Sequence, residues 1–155
     1  MLQIKEINPS YLDELEYFGK NLDSQSTHFF RPHKFDKETI KSILKKDKNL
    51  SFMAFSENNI PIAYFFLWNI DTDYPMLGIG ILADFQNKGY GHKLLDFLID
   101  KAKSLNKKGI ELTCTLGNER AFHIYNKKGF VHYEDRRDIL RDGSEITERA
   151  MKLDF

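Results

Sequence analysis

Gln86-Asn87-Lys88-Gly89-Tyr90-Gly91 separates an apolar run at residues 76–85 from a strongly periodic segment that begins near Tyr90. Its two glycines let backbone N–H groups converge with no Cβ in the way. A helix starting there adds unpaired donors and the positive end of its dipole. The junction therefore reads as an anion cradle, and phosphate is its natural guest. The run before it, bounded by Pro75 and Gln86, has the length and composition of a buried strand. The segment after it places Leu94, Leu95, Leu98, Ile99, Ala102 and Leu105 on one helical face, opposite Asp96, Asp100, Lys101 and Lys103. Lys107 and Lys108 crowd the last turn, and Gly109 is expected to close the helix.

Two common phosphate motifs fail here at named residues. A P-loop needs Lys followed by Ser or Thr after its last glycine, and His92 and Lys93 stand there. A dinucleotide fingerprint needs a third small residue for close helix packing, and Leu94 occupies that position, although Glu111 lies where a ribose-binding acid is sought.

Outward from the cradle the chain punctuates itself. Leu2, Ile4 and Ile7 suggest a first strand, and Pro9 with Ser10 opens a helix through Leu12, Leu15, Tyr17 and Phe18. Residues 22–35 are expected to be irregular, an aromatic and basic loop containing His28, Phe29, Phe30, Arg31, His33 and Phe35. Asp36 caps a helix reaching to Lys48, with Ile40, Ile43 and Leu44 as its buried face. Residues 50–55 and 60–68 are β-rich and joined by Ser56-Glu57-Asn58-Asn59, a hairpin-type turn. Residues 110–115 form a further strand, and Asn118 caps a helix closed by Gly129. Residues 130–140 and 145–155 make a last hairpin around Arg141-Asp142-Gly143-Ser144. The fold class is α/β of the α+β type, one domain at residues 1–155. It has a mixed, mostly antiparallel sheet of about seven strands flanked by about four helices.

Composition excludes several functions. With 155 residues and 23 basic against 23 acidic side chains, no long-range field advertises nucleic acid or an anionic membrane as partner. The single cysteine, Cys114, lies in a strand-like run, which excludes an internal disulfide framework and suits a reducing cytoplasm. The five histidines form no spaced ligand set, so no metal is expected. Residues 1–6 lack the apolar core of a signal peptide, and no apolar stretch is long enough to span a bilayer. A cytoplasmic protein is the expectation, as monomer or homodimer.

A second motif lies one helix and one strand beyond the first. Asn-x-x-Ala-x-x-x-Tyr-x-x-x-Gly-Phe at residues 118–130, following Gln-x-x-Gly-x-Gly at residues 86–91, resembles the GNAT superfamily of acyl-CoA-dependent N-acyltransferases. The resemblance is strongest from Met76 to Phe130 and weak before Leu50. It implies a sheet with one splayed strand pair and acetyl-CoA as co-substrate. The coenzyme's pyrophosphate would rest on Gln86, Asn87, Lys88, Gly89, Tyr90, Gly91 and His92. Its pantetheine would fill the splay beside Gly80, Ile81 and Leu82, where an unpaired N–H is expensive unless a ligand completes it. A backbone N–H near Gly80 would face the developing oxyanion. Asn118 would bond the pantetheine or fix the sheet-to-helix corner, and it is a good helix cap on either reading. Tyr125 matches the position that protonates the departing thiolate.

The resemblance is incomplete at the base. Many relatives carry a glutamate on the strand before the glycine loop, where this chain has Met76-Leu77-Gly78-Ile79-Gly80. Asp73, Glu111 and a held water are the candidates, and an acceptor amine of low pKa needs none. The acceptor, a small-molecule or peptide amine, would be framed by residues 22–35, 69–75 and 136–144. His28, Arg31 and His33 there suit an anionic or sugar-like acceptor. The alternatives are a non-catalytic acyl-CoA-binding module and, more distantly, a nucleotide-binding oxidoreductase. Cys114 is expected to be a core residue with no covalent role.

Overall fold

The computed structural model describes residues 2–155. Among these lie β1 (Gln3–Glu6), α1 (Leu12–Lys20), α2 (Ser24–Phe29), α3 (Lys37–Lys45), β2 (Asn49–Phe55), β3 (Pro61–Trp68) and β4 (Met76–Ile81). Then come α4 (Tyr90–Ser104), β5 (Gly109–Thr115), α5 (Glu119–Lys127), β6 (Val131–Ile139) and β7 (Glu145–Asp154). The strands form one sheet in the order β1-β2-β3-β4-β5-β7-β6. Every neighbour pair is antiparallel except β4 and β5, which run parallel and meet at a single residue pair, Met76 and Glu111. Beyond that pair they diverge, so the expected splay is present.

β3 explains why two layers of helix are needed. All eight of its residues are buried, and a strand's side chains alternate between faces. Phe65 and Leu67 join Leu94, Leu95 and Leu98 of α4 in one core. Tyr64, Phe66 and Trp68 join Leu15 and Phe18 of α1 and Ile40 of α3 in the other. Burying a side chain such as Phe18 completely contributes about 1.5–3 kcal/mol, so both layers are held by many such terms.

Five expectations change. Strand β4 stops at Ile81, where the chain turns into a 3-10 turn at Ala83–Phe85 with the Phe85 N–H donating to the Leu82 carbonyl. One apolar run thus serves a strand and a turn, and hydrophobicity alone could not divide it. The loop at residues 22–35 contains α2, which raises the helix count to five. Asp23 caps α2 through the Ser26 N–H at 2.7 Å, but the helix has no buried residue and so left no periodic signal. Gly109 does not close α4. Asn106 does, at φ 59°, with the Lys107 N–H donating back to the Ala102 carbonyl. Gly109 instead begins β5 beneath β7, where a Cβ would stand 2.1 Å from the Leu153 carbonyl oxygen. The helix that opens at Pro9 starts as a 3-10 turn, Pro9–Tyr11, capped by Asn8, and α3 ends at Lys45.

Candidate active site

The glycine loop and the splay open into one cavity of about 860 Å³. Gly89 sits at φ 79°, which only glycine adopts freely, and a Cβ there would meet open space. Gly89 is also the residue at the cap position of α4, and neither it nor any first-turn acid offers a side chain to the helix's first N–H groups. Those donors and the positive helix end therefore face the cavity unanswered. Gln86, Asn87, Gly89, Tyr90, Gly91 and His92 all line it. Lys88 does not; its ammonium lies 5.8 Å from the centre of the Phe85 ring.

The ladder fixes which amides of β4 face the gap. Leu82 donates its N–H to the Ile62 carbonyl at 2.9 Å, and pairing in an antiparallel ladder repeats every second residue. Given the register Tyr64 to Gly80 and Phe66 to Gly78, the polar groups of Gly78 and Gly80 also turn toward β3. Those of Leu77, Ile79 and Ile81 turn into the splay. Two bonds agree with this alternation. The Pro75 carbonyl accepts from the Glu111 N–H across the gap, and the Ile81 carbonyl accepts from Gln86 Nε2 at 2.8 Å. The expectation for Gly80 and Leu82 is corrected accordingly. The Leu82 N–H is already paired, and Ile79, which sequence reading missed, presents its N–H to the gap in place of Gly80. Gly80 matters through its missing Cβ, which would lie 2.5 Å from carbons of the Phe30 ring. Gln86 likewise acts through a side chain tied to β4, with Ser26 of α2 at 3.4 Å.

At the far wall, Asn118 accepts from the Ala121 N–H and lines the cavity beside Gly117, Glu119 and Tyr125. Tyr125 packs edge-on against Phe130, with ring centres 5.7 Å apart. Removal from water pushes its phenol well above the ordinary value, and the neighbouring Cys114 adds to the rise. Burial also pushes the Cys114 thiol up to about 11, and its S–H points to the Asn118 carbonyl. That thiol is a core group, as expected.

The acceptor-side residues scatter. Leu22, Gln25, Ser26, Phe29 and Phe30 roof the cavity from α2 and its flanks, all within the segment 22–35 that was expected to frame the acceptor. His28 leans on Phe29. His33 turns inward, its Nδ1–H donating to the Lys34 carbonyl and its Nε2 accepting from the Tyr64 hydroxyl at 2.9 Å. Asp73 and Glu111, the candidate bases, line a separate cavity of about 330 Å³ with Tyr74, Tyr133 and Arg136. There the Glu111 carboxylate accepts from the Tyr133 hydroxyl at 3.2 Å, and Asp73 pairs with Lys108. Among the described residues lining the larger cavity, Glu119 is the only carboxylate, and it is bound to Arg149 at 3.2 Å. No group of three or more candidate metal ligands occurs among the described residues, and no helix there is long and apolar enough to cross a membrane.

An uncapped helix end, an open strand edge and a dry phenol thus surround one cavity. The chain belongs to the acetyltransferase (GNAT) family, whose model matches residues 14–130. No curated protein matches it in sequence. Among solved structures it is similar to a GNAT-family acetyltransferase from Streptococcus pneumoniae, at 21% identity and TM-score 0.77, covering 100% of both chains. The ribosomal-protein-S18-alanine N-acetyltransferase of Escherichia coli has 22% identity and TM-score 0.79, over 99% of this chain and 94% of that one. A spermidine N-acetyltransferase from Vibrio cholerae, solved with CoA and spermine, has 19% identity and TM-score 0.80, over 98% and 94%.

Proposed function

We propose that the protein moves an acetyl group from acetyl-CoA to a primary amine of a small molecule or a protein, by direct transfer in a ternary complex. The observation that carries this reading is the convergence on one cavity of the uncapped α4 N-terminus and the unpaired β4 edge. Phosphate suits the first, and an amide chain suits the second. In this reading the amides of residues 87–92 hold the coenzyme's pyrophosphate. The backbone of Ile79 and Ile81 pairs with the pantetheine arm, and the Ile79 N–H faces the oxyanion.

The acceptor nitrogen attacks the thioester carbon, the C–N bond forms and the C–S bond breaks. Tyr125 gives its proton to the leaving sulfur and regains one from the ammonium product. A phenol of raised pKa is fully protonated beforehand, and the dry surroundings that raise it equally disfavour a bare thiolate beside it. The larger cavity offers no free carboxylate, which favours an amine that loses its proton to water.

Gly91 gives the cleaner test. A Cβ there meets only Ile81 Cδ1 at 3.9 Å, so Gly91→Glu leaves the fold intact and complements the helix dipole, yet sets a carboxylate against the pyrophosphate. Isothermal titration should detect acetyl-CoA binding in the wild type and none in Gly91→Glu; equal binding by both overturns the assignment. Thiol release across an amine panel then separates a transferase from a module that only binds acyl-CoA.

A further inference from the structure

We infer that the ring of Phe30 limits the acyl group of the donor, so that the site takes acetyl and excludes butyryl and longer chains. The inference rests on the transferase reading, in which the coenzyme arm passes Ile81 and brings its thioester to the Ile79 N–H. The acyl group then lies where the cavity ends on β4. Ile79, Gly80 and Ile81 line that cavity, Met76 lines the smaller one, and Leu77 and Gly78 between them line neither.

The alternation of the strand shows what closes this end. Ile79 and Ile81 pack against the core shared with α4, so the opposite face of β4 carries Gly78 and Gly80. Each bare position is taken by a ring. A Cβ on Gly78 would lie 2.2 Å from Phe66 Cζ, and one on Gly80 would lie 2.5 Å from Phe30 Cδ2. Phe66 is buried and stacked on Trp68, with ring centres 3.7 Å apart. Phe30 is half-buried, its ring centre 6.4 Å from that of Phe66, and it also lines the cavity. Of the two rings, Phe30 is therefore the surface that an acyl chain meets.

That surface is held in place. The Phe30 N–H donates to the Ser26 carbonyl at 2.8 Å, and the ring packs edge-on against Phe18 and Tyr64. The next residue, Arg31, is tied to Glu148 of β7 at 2.9 Å. A chain longer than acetyl must displace a ring anchored on both sides, an overpacking cost that the acetyl group avoids.

The test is isothermal titration of acetyl-, butyryl- and hexanoyl-CoA into the wild type, Phe30→Ala and Phe30→Leu, which needs no acceptor. In the wild type the Kd for butyryl-CoA should exceed that for acetyl-CoA by about tenfold or more, the size of an ordinary overpacking penalty. In Phe30→Ala that ratio should fall to about twofold or less. Phe30→Leu, which keeps an apolar side chain against Phe18 and Tyr64, should give a ratio between the two. A substitution that merely loosened the fold would weaken all three thioesters alike and leave the ratio where it was. Equal wild-type affinity for the three thioesters, or a ratio unchanged in both variants, overturns the inference and leaves the transferase reading standing. Absence of acetyl-CoA binding to the wild type overturns both.

Discussion

Gly89 and Gly91 occupy one loop for different reasons. Gly89 needs its positive φ, whereas Gly91 needs only to keep clear of what approaches the helix end. Gly109 is a third kind, a glycine of close backbone approach. Gly109→Ala should therefore cost about 1–3 kcal/mol through overpacking against the Leu153 carbonyl, read as a lower urea midpoint with unchanged slope. Tyr125→Phe should leave acetyl-CoA binding within twofold and lower kcat by about tenfold to a hundredfold. Because burial raises the phenol, no loss of kcat from its ionisation is expected between pH 7 and pH 10 in the wild-type profile. The motif made Tyr125 legible in the sequence. Ile79 was not legible, because which amide faces a gap depends on ladder phase, and a ladder phase belongs to two strands.

At the scale of elements, caps were readable and short polar helices were not. Asn118 and Asp36 advertise α5 and α3 because a side-chain acceptor just before an amphipathic run has one common use. Asn118→Ala should cost about 1 kcal/mol of stability, measured by urea titration. Asp36 adds a pH dependence. Its carboxylate accepts from the Thr39 hydroxyl and the Thr39 N–H, and these bonds hold its pKa below the ordinary carboxylate value. That stabilisation is complete above the unfolded carboxylate range and is lost as pH falls through the lower folded value, below about pH 4. Asp36→Asn keeps the cap without the titration, so its urea midpoint should fall less steeply on acidification. Helix α2 escaped notice because six polar and aromatic residues carry no apolar stripe, yet it supplies the roof of the cavity.

For the whole molecule, the order of elements and the splayed strand pair were readable because the resemblance carried by the two motifs fixes the middle of the sheet. The inward turn of His33 was not, since an aromatic-basic segment looks much the same facing water. In the fold, His33 takes its Nε2 to the buried Tyr64 hydroxyl, which donates to it at 2.9 Å. Burial lowers the imidazole's pKa against the opposing pulls of the Lys34 carbonyl and Asp36. The unfolded chain therefore takes up the proton first as pH drops below about 6.5, and stability falls from there down to the lower folded value. His33→Gln should flatten that part of the stability curve.

The single Met76–Glu111 contact also bears on how the chain is made. Strands β1 to β4 pair among themselves, and all are synthesised before β5 exists. A ribosome-bound chain at that stage carries an apolar strand with one bare edge, the kind of template that neighbouring chains add to. In the finished protein, β5 meets that edge at one residue pair and leaves the rest open. The vacancy proposed to receive the donor is thus also the edge a growing chain must keep from its copies.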